Sequence, residues 1–98
     1  MAARIKHGTA TGSVQTVTLT GATSGDVIDV LARSGGPLWI TYGVEPADPT
    51  AAGDDVDVCP SGGSVRLDPV LDDLDGKPFV VKVLADSGVT YTIKAGRP

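Results

Sequence analysis

The feature that most constrains this chain is an alternation of apolar and polar residues, broken at short intervals by Gly, Pro and Asp. In "SVQTVTLTG" Val17 and Leu19 alternate with Thr16, Thr18 and Thr20. In "PLWITYGV" Leu38, Ile40 and Tyr42 alternate with Trp39 and Thr41. "FVVKVLA" puts Phe79, Val81 and Val83 on one face, and "VTYTIKA" does the same for Val89, Tyr91 and Ile93. A period of two is that of a strand with one buried face. "VDVC" and "SVRLD" are shorter segments of the same kind. "DVIDVLARS" fits a helical turn capped by Asp26 or a strand. The brackets at Gly25 and Gly35-Gly36, with Val27, Ile28 and Val30 between them, favour a buried strand. About seven strands at intervals of about 8–12 residues predict an all-β fold. The expected architecture is a single small antiparallel β-sandwich, Ig-like or jelly-roll-like, with an N-terminal arm.

The composition agrees: 13 Gly and 7 Pro with a single Met suit tight turns better than helices. Residues 1–12 read as the flexible arm and 13–98 as the sandwich domain. Asp86-Ser87-Gly88 predicts a closing hairpin between the last two strands, and Asp75-Gly76 marks a turn within "PVLDDLDGKP". The expected core is Leu19, Ile28, Val30, Ile40, Val58, Val65, Leu67, Val81, Val83, Tyr91 and Ile93.

The net charge of −4 disfavours nucleic acid, which calls for a basic stripe, and an anionic membrane surface. No apolar run is long enough to span a bilayer, and no signal-peptide core is present. Met1 is expected to begin the gene product. The chain is then expected to be cytosolic, or to leave the cell by lysis or on a particle. One cysteine, Cys59, excludes an internal disulfide.

The candidate sites are few. The loop "EPADPTAAGDD" carries Glu45, Asp48, Asp54 and Asp55, but not at the spacing of a calcium loop. "DDLDG", residues 72–76, lacks the later bidentate Glu. Both read as connections, and the acidic loop is expected to be dispensable for folding. A nucleophilic Cys59 would need a base, and the only histidine, His7, lies in the expected arm. The serines sit in turns, and no glycine stretch matches a phosphate loop. Trp39 and Tyr42, three apart on one strand, face opposite ways unless a bulge intervenes, so one is expected in the core and the other over a sheet edge or an interface rather than on one sugar-stacking platform. No catalytic residue, cofactor or metal is expected. Arg4, Ile5, Lys6 and His7 form a short basic segment of an acidic chain, with Ile5 as an apolar anchor. They are the candidate contact residues toward an acidic partner.

"WITYGVEPADPTAAGDDVDVCPSGGSVRL" followed by "VVKVLADSGVTYTIK" resembles small β-sandwich virion proteins of tailed phages infecting actinobacteria. The likeness covers roughly residues 14 to 95 and lies in turns and strands. Where an Asn or Asp often follows the aromatic strand, this chain has Gly43-Val44-Glu45. The resemblance implies a non-enzymatic capsid-decorating or head-associated protein, made in the host cytoplasm and located in the virion. Its implied partners are the major capsid protein and neighbouring copies of itself, as a homo-oligomer with a trimer as one option. The alternative is a tail or fibre part, or a module that binds carbohydrate or a host receptor.

Overall fold

The computed structural model describes residues 4–22, 26–67 and 77–96. They form eight strands: β1 (Ile5–Thr9), β2 (Gln15–Leu19), β3 (Val27–Ser34), β4 (Leu38–Gly43), β5 (Asp57–Cys59), β6 (Ser64–Leu67), β7 (Phe79–Leu84) and β8 (Thr90–Gly96). They build two four-stranded sheets, ordered β1-β8-β3-β6 and β2-β7-β4-β5, with every pairing antiparallel. The expected β-sandwich is therefore the fold. "DVIDVLARS" is strand β3, the central partner of both β8 and β6. The turn expected at Asp75-Gly76 lies outside the described residues.

The core lies between the sheets. Leu19, Ile28, Val30, Leu38, Ile40, Val81, Val83 and Ile93 are essentially closed to solvent, with Phe79, Tyr91 and Leu67 beside them. Burial alternates strictly along β7, as the period of two requires. Two expected core residues differ. Val65 is only partly buried, at the margin of the cluster. Val58 is 45% exposed: the inward residues of its short strand include Cys59, paired with buried Leu38, so Val58 points outward beside Trp39. A small thiol buries as readily as a valine, and "VDVC" alone does not set the phase.

The expected arm is a second correction. Ile5–Thr9 pairs with β8 over five residues, so among the described residues it is an edge strand of the first sheet and one strand more than the seven expected. Two contacts fix its position. Arg4 donates to the Gly21 carbonyl at 2.7 Å and to Asp26 at 3.0 Å, and Asp26 is fully buried. Gly8 lies against the Tyr91 ring, where a Cβ would come within 2.5 Å of the ring carbon and hydroxyl. A strand this polar has little apolar alternation to announce it.

The closing hairpin is the third correction. β7 and β8 lie in different sheets, joined by a turn in which Val89 donates to the Asp86 carbonyl and Gly88 takes φ 94°. Ala10 holds that turn from the other side, accepting from Gly88 and donating to the Val89 carbonyl. Of the connections that join consecutive described strands, only β4 to β5 links sheet neighbours. Alternation shows which face of a strand is apolar; it does not show which sheet the strand joins.

Candidate functional site

The acidic loop between β4 and β5 folds back over the outer face of the second sheet. Thr41 and Lys82, cross-strand partners on that face, hold it: the Thr41 hydroxyl donates to the Ala47 carbonyl and Lys82 to Asp48 at 2.9 Å. Pro49 is fully buried there, so this half of the loop is packed structure. That corrects the expectation that the whole loop is dispensable for folding. Asp54 and Asp55 are exposed. Asp55 takes φ 58°, a left-handed conformation that Asp tolerates better than most residues, so its place there is explained by the turn. Among the described residues no three His, Cys, Asp or Glu side chains gather where they could hold a metal ion.

Cys59 lies in the core, its Sγ 3.5 Å from the carbonyls of Val30 and Gly63. Burial pushes its thiol above the ordinary range, against a smaller opposing effect from a hydrogen bond with the Ala32 backbone, which favours the un-ionised form. His7 is exposed on β1 and bonded to the Thr92 hydroxyl at 2.8 Å. β1 and β5 are edge strands on opposite sides of the sandwich, so the two residues are not brought together. Tyr42 faces inward against Phe79, with ring centroids 6.0 Å apart, and Trp39 faces outward, as alternation requires.

The four candidate contact residues divide. Arg4 is committed to Asp26 inside the fold. Ile5, His7 and Thr9 share the outer face with Lys94, Thr92 and Thr90, their partners on β8. Lys6 pairs with the inward residue Ile93, yet it is exposed because no described strand lies beyond it. Ile5 is 55% exposed.

The backbone of β1 completes this surface. Ala95 donates to the Arg4 carbonyl and Ala10 to the Val89 carbonyl. In an antiparallel ladder bonded and non-bonded pairs alternate, so Lys6 and Gly8 spend their backbone groups on β8. The N–H and C=O of Ile5 and His7 point to the open edge. Thr9 ends this stretch, because Gln15 donates to its carbonyl at 3.0 Å while accepting from the Tyr91 hydroxyl at 2.8 Å.

Two other surface features stand out. On the outer face of the first sheet Arg66 holds Asp29 through two bonds, at 2.9 and 3.3 Å, beside Lys94, Leu31 and Ser64. That pairing raises the Arg66 pKa further, and it explains the cluster as a cross-strand ion pair. On the other sheet Trp39, Pro37, Leu84, Ala51, Gly12 and Asp86 line a shallow concavity of about 150 Å³. The outward row Leu84–Trp39–Val58 was present in the alternation but hidden by the wrong phase assigned to Val58. No protein-family model, curated protein or solved structure matches the chain.

Proposed function

We propose that the chain is a non-enzymatic structural protein of a phage particle, which binds and stabilises or decorates an assembled capsid beside neighbouring copies of itself. The resemblance in turns and strands over roughly residues 14 to 95 supports this reading. So does a small sandwich body with an open strand edge among the described residues. The observation that carries it is Ile5, exposed on a strand whose outer backbone groups have no strand partner among the described residues, with Lys6 and His7 beside it. Covering an isoleucine contributes roughly 1–2 kcal/mol at this exposure, and an added strand gains backbone bonds as well. The cations orient an acidic partner, an effect that weakens with salt.

The test is Ile5→Asp, read as occupancy on purified particles by sedimentation and gel densitometry. Ile5 points away from the core, so the fold survives the substitution. Loss of occupancy supports the reading; occupancy equal to wild type at low salt overturns this contact. One observation favours a second reading, a carbohydrate-binding virion module. Trp39 and Asp86 line a concavity of about the volume of one sugar ring. Binding of the wild-type protein on a glycan array, lost in Trp39→Ala, would replace the first reading by the second.

A further inference from the structure

We propose that the two outer edges β1 and β5 are complementary halves of one interface, so that copies join head to tail with β1 of one copy antiparallel to β5 of the next. This rests on the reading of Ile5–His7 as a contact surface and names its occupant as a second copy of the chain.

Four independent features agree on one register. The first is exposure: among the described residues Ile5 on β1 and Val58 on β5 are the exposed large hydrophobic residues, at 55% and 45%. The second is charge. Each of these edges carries an exposed charged residue on its inward side, Lys6 opposite Ile93 and Asp57 opposite Ile40. Inward-pointing charges on edge strands guard against indiscriminate pairing, and here the two have opposite signs. Setting Ile5 opposite Val58 of the next copy places Lys6 opposite Asp57 and His7 opposite Val56.

The third feature is the backbone. Among the described residues the backbone groups of β1 without a strand partner are those of Ile5 and His7. On β5, Pro60 has no N–H to donate, so the ladder to β4 can include Leu38 with Cys59 only as a bonded pair. Ile40 with Asp57 is then the next bonded pair, and the N–H and C=O of Val58 face the open edge. The register that joins Ile5 to Val58 therefore joins free groups to free groups. Lys6 and Asp57 become a non-bonded pair, the kind whose Cα atoms approach most closely, at about 4.5 Å.

The fourth is direction. β1 runs opposite to β8, and the tight Asp86–Val89 turn makes β7 run opposite to β8 as well. β5 runs with β7, since both are antiparallel to β4. β1 and β5 are thus co-directional within one copy. A second copy turned over about the line joining the edges presents β5 antiparallel to β1, with inner face continuing inner face. Such a contact is heterologous and can propagate. Pairing β1 with β1 in register about Lys6, or β5 with β5 about Asp57, would instead oppose like charges. The strip is short, so association in free solution is weak, and it strengthens where a shell holds copies at high local concentration.

The experiment is sedimentation velocity on the purified full chain, in low salt, over concentrations reaching millimolar. Wild type is expected to associate in a concentration-dependent way. Lys6→Glu and Asp57→Lys, both at exposed sites and checked for native far-UV spectra, should each lower the association constant roughly two- to thirtyfold. The double variant, or an equimolar mixture of the two single variants, should regain it. Wild type that stays monomeric throughout overturns the proposal, as does association indifferent to both reversals or a double variant that fails to recover. If self-association fails these tests while Ile5→Asp still abolishes particle occupancy, the capsid itself occupies the β1 edge and the particle reading stands alone.

Discussion

Replacing Arg4 by Met removes a guanidinium from a carboxylate that has no access to solvent. Arg4 bonds Asp26 at 3.0 Å and the Gly21 carbonyl at 2.7 Å. The Asp26 side chain is 0% exposed and that of Arg4 41%. Taking one partner from a buried ion pair costs about 3–5 kcal/mol, because the buried charge loses its counter-charge. Here Arg4 is itself partly solvated, and water entering its place would rehydrate the carboxylate. The expected loss is therefore smaller, about 2–3 kcal/mol. For a domain of this size that lowers Tm by roughly 10–20 °C. Equilibrium urea unfolding at neutral pH measures it, with the m value unchanged. Adding Asp26→Asn to Arg4→Met should recover part of the loss, since the buried negative charge is gone, and the double-mutant cycle measures the coupling of the two residues. An Arg4→Met protein within about 0.5 kcal/mol of wild type, the size of an ordinary surface substitution, would mean that the segment is a loose arm. β1 would then not be docked through this pair.

Further outcomes follow from other contacts. Gly8→Ala should cost about 1–3 kcal/mol by forcing the Tyr91 ring from its place against β1; thermal unfolding equal to wild type would show that β1 does not pack on that ring. Asp54→Asn with Asp55→Asn should leave Tm nearly unchanged, and added calcium should not raise it; a calcium-dependent rise of several degrees would reveal a metal site in the exposed half of the loop. Stability should decline in alkali. Burial raises the pKa of both Cys59 and Tyr91, so each contributes stability that is fully present below its ordinary value, about 8.5 and 10 respectively. That stability is lost as pH rises through the raised folded-state value. In Cys59→Ala, urea midpoints taken across this range should hold to higher pH before falling; an unchanged onset would exclude the thiol as a cause.

The sandwich was legible because its inner faces follow a period of two across β2, β3, β4, β7 and β8, and few other folds use so many short alternating segments. What the sequence hid has physical causes. β1 is stabilised by its ladder to β8, by Arg4 reaching Asp26 and by Gly8 under Tyr91, all contacts with residues distant in the chain. Its own composition looks like a solvated tail. Sheet membership was hidden for the same reason: the Asp86–Val89 turn is compatible with a hairpin, and its attachment to Ala10, 76 residues before Asp86 in the numbering, decides otherwise. Val58 was misplaced because Cys59 competes with it for the core side of a three-residue strand. Ile5, Lys6 and His7 stand out in the sequence as a basic segment, but only the ladder separates them from Arg4 and shows which backbone groups remain open.

Amide hydrogen exchange along β1, in the free protein at low concentration and on assembled particles, tests most directly the claim that this edge is an ordered strand held open for a partner. In the free protein the amides of Lys6 and Gly8, bonded to β8, should exchange slowly, and those of Ile5 and His7 should exchange fast. On the particle Ile5 and His7 should become protected as well. Fast exchange at all four positions in the free protein would contradict the strand, and unchanged fast exchange of Ile5 and His7 on the particle would contradict the contact.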